Sequence, residues 1–179
     1  MIKITNKSID SVPMVQSDVL HKQYWNKLHQ EHKDLLNLAI DKQLGTECAR
    51  VFDLNMIKLG NDLVVEQGDN RVYVPNFDIP HIIIHNHADG ATLSLEDFNS
   101  FMRRPNTLSI HAVSNGGSVC ILEKLPHFNA AEAIKKYIST LNEAITLVEN
   151  GAIQPELEII VEQFLVSLVE NGFMYRRWV

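Results

Sequence analysis

The chain has little cysteine: Cys48 and Cys120 are the only two in 179 residues. Two thiols cannot build a disulfide framework, so the fold must rest on a hydrophobic core, and a reducing, cytoplasmic setting is the expectation. Long apolar runs are lacking too, and none approaches the roughly 20 residues that span a bilayer. Lys3, Lys7 and Asp10 interrupt any hydrophobic stretch near the start, so no secretory leader is expected there. Positive charge is scarce. Lys and Arg total 16 against 22 Asp and Glu, and no basic cluster is longer than Arg103-Arg104 or Arg176-Arg177. Proteins that grip nucleic acid carry a basic stripe, so neither nucleic acid nor a membrane is an expected partner. What is present is 45% hydrophobic and 21% charged residues, the composition of an ordinary globular chain of one domain's length.

Periodicity orders the elements. Residues 1–18 alternate weakly across Val12-Pro13 and read as an irregular arm with room for one short strand. Leu20, Tyr24, Leu28 and His32 recur at steps of four, with Leu35, Leu36, Leu38 and Ala39 after them, which predicts a helix over about 16–43. His21, His29 and His32 fall in that helix without a carboxylate at matching spacing. They read as solvated or partly buried residues and not as ligands. Gly45 suits a helix stop. Strands follow at 47–54, 63–66 and 71–74, with turns at 55–61 and 67–70. A fourth strand, 81–87, is apolar before its histidines and belongs at the centre of the sheet.

Residues 94–104 read as a helix stopped by Pro105. Segments 108–113 and 118–123 form a hairpin around Asn115-Gly116-Gly117. Two amphipathic helices, 128–149 and 154–171, are broken at Gly151, and Pro155 fits the first turn of the second. The aromatic segment from Phe173 to Val179 is expected to dock on the core. Together these elements predict an α+β fold, a mixed sheet flanked by helices. Residues 1–125 would form the main unit, and 126–179 a helical extension packed on the same domain.

The stretch with the most chemistry is His85-Asn86-His87. Residues two apart on a strand share a face, so the two imidazoles project side by side. Asp97, in the first turn of the next helix, can swing back as a third ligand. Two nitrogens and a carboxylate suit zinc, and three protein ligands leave a position for water, as in catalytic sites. His81, on the same face, reads as an exposed residue at the strand's start, with support of a ligand as the alternative. Cys48 would point to the opposite face, which argues against a nucleophile. Asp89 reads as the turn residue before Gly90. His111 and His127 have no motif around them.

His-x-His also occurs in cupins, amidohydrolase barrels and PHP-type phosphoesterases. A cupin has a glutamate shortly after the second histidine, where this chain has Ala-Asp-Gly-Ala-Thr at 88–92. The barrels need more chain than follows His87, and an HNH nuclease spreads its ligands over a longer ββα unit. The full pattern, His85-x-His87, a short loop, then Ser94-x-x-Asp97, resembles the JAB/MPN metalloprotein family, meaning the JAMM isopeptidases and their RadC-like relatives. The likeness spans about residues 30–125. It implies the cytidine-deaminase-like fold of that family and one zinc per chain on His85, His87 and Asp97. It implies Ser94 as a donor to the developing oxyanion and Glu47 as general base, with Glu66 on the second strand as fallback. The implied activity is hydrolysis of a peptide or isopeptide bond in a protein or peptide substrate, ubiquitin-like conjugates included.

The chain departs from that pattern at Ala88, where the family has proline. Alanine should loosen the turn after the second ligand without removing a ligand. The loop before Ser94 is also shorter than in many members. Ser94-x-x-Asp97 has a purely structural reading as well, a helix capping box. The competing function is a non-catalytic scaffold or binding module in a phage or mobile-element assembly. The apolar stripes of the two long helices suit a partner or a homodimer. An intact ligand triad favours the enzyme.

Overall fold

The most apolar strand lies inside the sheet. β3, His81–His87, carries Ile82, Ile83 and Ile84 and is buried at every position. β1 (Cys48–Asp53) runs antiparallel on one side of it and β4 (Thr107–Ser114) parallel on the other. β2 (Leu63–Val64) covers the outer edge of β1. β5 (Val119–Lys124) pairs antiparallel with β4, and β6 (Phe173–Trp178) antiparallel with β5. The result is a six-stranded mixed sheet in the order β2-β1-β3-β4-β5-β6. The computed structural model describes residues 1–42, 45–65, 72–88 and 92–179. The expected turn at 67–70 and Asp89-Gly90 lie outside the described residues.

Helices cover both faces. α2 (Trp25–Ile40) follows a 3-10 turn at Lys22–Tyr24 and turns Leu28, His32, Leu35, Leu36 and Ala39 inward. Those residues pack with Phe52, Ile82, Ile84 and Ile121 on one face of the sheet. α3 (Leu95–Met102), α4 (Ala130–Glu149) and α5 (Gln154–Ser167) lie on the other face. There Phe98, Phe101, Phe164 and Phe173 pack over Val51, Ile83 and Leu122. α3 is the crossover that a parallel β3–β4 pair requires. The expected mixed sheet with flanking helices is therefore present. Among the described residues no helix is long and apolar enough to cross a membrane.

Several expectations change. The arm at 1–18, expected to be irregular with room for one short strand, holds a short helix, α1 (Asn6–Asp10). A reciprocal Thr5–Ser8 capping box starts it. That helix packs on the hairpin turn, where Gly117 has φ +99° and a Cβ would collide with Ser8 O and Ser11 Oγ, so only glycine fits. Residues 72–74 alternate as a strand should but form no strand of the sheet among the described residues. Arg104 instead fixes the following residues, donating to Pro75 O (3.2 Å) and Asn76 Oδ1 (2.8 Å). The aromatic C-terminus docks on the core as expected, with Phe173 buried and Tyr175 and Trp178 packed against it, and does so as a strand, paired from Phe173 opposite Lys124 to Trp178 opposite Val119. His32, read as solvated or partly buried, and His81, read as exposed, are both fully buried. His81 Nδ1 donates to Ile79 O (2.8 Å), and its Nε2 accepts from Thr107 Oγ1 (2.7 Å).

Candidate metal centre

His85 and His87 stand at the C-terminal end of β3 on the face covered by α3. His85 lies between Ala49 on β1 and Ala112 on β4, two small residues that leave its imidazole room to lie over the sheet. Asn86, between the histidines, points to the other face and is fully buried. Its Oδ1 accepts from Cys48 N (2.6 Å), and its Nδ2 donates to Thr46 O (3.2 Å) and Asn115 Oδ1 (3.0 Å). One amide thus ties β1, β3 and the β4–β5 turn together at the residue between the two ligands. The backbone after His87 is held as well: His87 O accepts from Asn115 N (2.9 Å) and Ala88 O from Ile2 N (2.6 Å). Hydrogen bonds thus restrain the segment at Ala88.

The third ligand comes from the start of α3. Ser94 is the N-cap, and its Oγ accepts from Asp97 N (3.0 Å). In return Asp97 Oδ2 accepts from Ser94 N and Ser94 Oγ, both at 2.7 Å. This capping box aims the carboxylate at the histidines. Asp97 Oδ1 lies 3.3 Å from His85 Nε2, Oδ2 lies 3.2 Å from His87 Nε2, and the two Nε2 atoms are 2.9 Å apart. Bonds of about 2.0–2.1 Å to a tetrahedral ion set ligand atoms about 3.3 Å apart. The observed spacing fits. Burial alone would raise the Asp97 carboxyl, but the charge and hydrogen bond of His85, and then those of His87, hold it well below the usual carboxylate range. Two nitrogens and an ionised carboxylate, mostly buried and converging, form a group that can hold a metal ion.

Glu47 directly precedes β1. It is two residues before Ala49, the partner of His85, so alternation puts it on the ligand face. Glu47, Ser94 and the three ligands line one cavity of about 1150 Å³. Glu66 lies outside the described residues. Cys48 faces the α2 side, and burial pushes its thiol up to about 11, which leaves it inert. His111 also lies on that far side, against His32.

The cavity has walls that the motif does not reveal. Glu96 of α3, Arg103 directly after that helix, Tyr73 of the 72–76 segment, and Ile145, Val148 and Leu157 of the α4–α5 pair border it. The apolar stripe of α4 is legible in the sequence, but nothing local in it says that the stripe faces the metal ligands. No family model matches this chain, and comparison with curated proteins and with solved structures likewise gives no match.

Proposed function

We propose that this chain is a zinc-dependent hydrolase of peptide or isopeptide bonds, built on the cytidine-deaminase-like JAB/MPN fold. The observation that carries the reading is the convergence of His85, His87 and Asp97 with Glu47 and Ser94 on one cavity. The arrangement of the motif supports it: two ligands end the inner strand β3, and the third opens the helix that follows. A donor set of two imidazoles and one carboxylate favours zinc and leaves a coordination position free. Zinc bound there would lower the pKa of a water to about 7 and polarise a carbonyl group.

The chain's own residues move the protons. Glu47 accepts the proton of the attacking water and passes it to the leaving amine, acting as base and then as acid. Ser94 donates a hydrogen bond through its hydroxyl proton to the carbonyl oxygen as charge develops there, a contribution of about 3 kcal/mol in comparable sites. In the resting structure that proton goes to Asp97 Oδ2, so the donor role requires the hydroxyl to rotate. The substrate is a protein or peptide, with ubiquitin-like conjugates in the class. A cavity of about 1150 Å³ is larger than the roughly 300–1,000 Å³ of small-molecule sites, which favours a polypeptide segment. Two buried free cysteines suit a reducing, cytoplasmic setting.

The test is a zinc-loaded digest of a peptide library, with new termini read by mass spectrometry. Wild type should generate new termini. Glu47→Gln should keep its zinc and generate none. A zinc-loaded wild type that cuts nothing contradicts the hydrolase reading, and a fully active Glu47→Gln contradicts the assignment of the base.

A further inference from the structure

α4 leaves most of its apolar surface uncovered. Of its 20 residues only Ala133 is buried. Ala133 and Tyr137 turn toward Phe98 and Phe164 and account for one edge of the helix. Beside that edge runs a second stripe, Ile134, Ile138, Leu141, Ile145 and Val148, at steps of four, three, four and three. Its β-branched members stand 43, 52, 49 and 57% exposed, in chain order. This spacing is the 3.5-residue repeat of a coiled-coil seam, with Ile138 and Ile145 in one core position and Ile134, Leu141 and Val148 in the other. Surfaces tolerate single apolar residues, whereas a continuous seam marks an interaction site.

The seam's outer flank says what covers it. Lys135, Asn142 and Glu149 follow the second core position at intervals of seven: a cation, a neutral amide and an anion. A second copy laid antiparallel, centred near Asn142, brings Lys135 of each chain beside Glu149 of the other and Asn142 beside its equivalent. A parallel copy would instead set Lys135, Asn142 and Glu149 beside Ala130, Tyr137 and Ala144 and form no charge pair. The stripe is therefore complementary to itself under a two-fold axis, as an isologous interface requires.

We propose that the chain forms a homodimer in which two α4 helices pair antiparallel through this seam. The pairing does not depend on the hydrolase reading, but it bears on the same site. Ile145, Val148 and Glu149 also border the metal cavity. The Ile134–Ile138 end of the second copy would then complete the outer wall of that cavity.

Sedimentation velocity of the full chain over a concentration series tests this. The expected species has twice the 20.3 kDa mass of one chain. Ile138→Asp, at an exposed position, should be a monomer with an unchanged circular dichroism spectrum. Lys135→Glu and Glu149→Lys should each weaken the dimer roughly tenfold, and their combination should restore it. A wild type that stays monomeric throughout, or an Ile138→Asp variant that still dimerises, overturns the proposal. A double reversal that fails to restore the dimer overturns the antiparallel arrangement. A monomeric wild type whose peptide binding is lost in Ile138→Asp would assign the seam to substrate instead.

Discussion

His32 and His111 meet inside the core, on the face of the sheet opposite the metal ligands. Their Nε2 and Nδ1 atoms are 3.0 Å apart, His111 Nε2 lies 2.8 Å from Ser109 Oγ, and His32 Nδ1 has no hydrogen-bond partner. Burial, helped by the charge of His29, lowers His32 to about 3. Burial, then the charges of His32 and His85, holds His111 well below the ordinary value. The folded chain therefore keeps both imidazoles neutral, whereas the unfolded chain binds protons below about pH 6.5. The sign follows. Stability is full above that value and falls as pH drops from about 6.5 toward 3, each histidine removing up to about 1.4 kcal/mol per pH unit. Urea unfolding at about pH 5.5 should show roughly 2–3 kcal/mol less stability than at about pH 7.5, and His32→Gln should flatten that slope. A midpoint that does not move with pH would contradict a buried neutral pair.

At the scale of elements, α3 links helix capping to the candidate metal centre. Ser94→Ala removes the cap and one of the two hydrogen bonds that Ser94 gives Asp97. It should cost about 1 kcal/mol in thermal unfolding. It should also weaken metal binding roughly 10- to 100-fold in a competitive titration, with Ser94→Thr close to wild type. Unchanged metal affinity in Ser94→Ala would mean that the hydroxyl does not orient the carboxylate. This site was legible in the sequence because its parts are local. His85 and His87 need only strand alternation, and Ser94 and Asp97 need only the first turn of a helix. The hairpin around Gly116 was legible for the same reason. β6 was not, because Phe173–Trp178 is a strand only by pairing with β5, far back in the chain. Val72-Tyr73-Val74 fails the opposite way, having strand alternation but no pairing in the sheet among the described residues. His32 sits on the same period-four stripe as Leu28, so its burial was written in the pattern that placed the helix.

Across the whole molecule the sheet divides two environments. One face holds the N-terminal arm, α2 and the neutral histidine pair. The other holds α3, the α4–α5 pair, the metal ligands and the cavity. The chain after α5 returns to close the sheet edge with β6, so the segment bearing the cavity's apolar wall is anchored at both ends on the sheet that carries the ligands. The candidate ligands, Glu47 and the apolar wall thus come from parts of the chain that only the completed fold brings together. Whether that assembly is a metal centre is settled most directly by metal content per chain. The measurement is elemental analysis of protein purified without chelator or a histidine tag, beside His85→Ala. Wild type should carry about one zinc per chain and His85→Ala none. A wild type that holds no metal, and takes up none when zinc is supplied, would contradict the account.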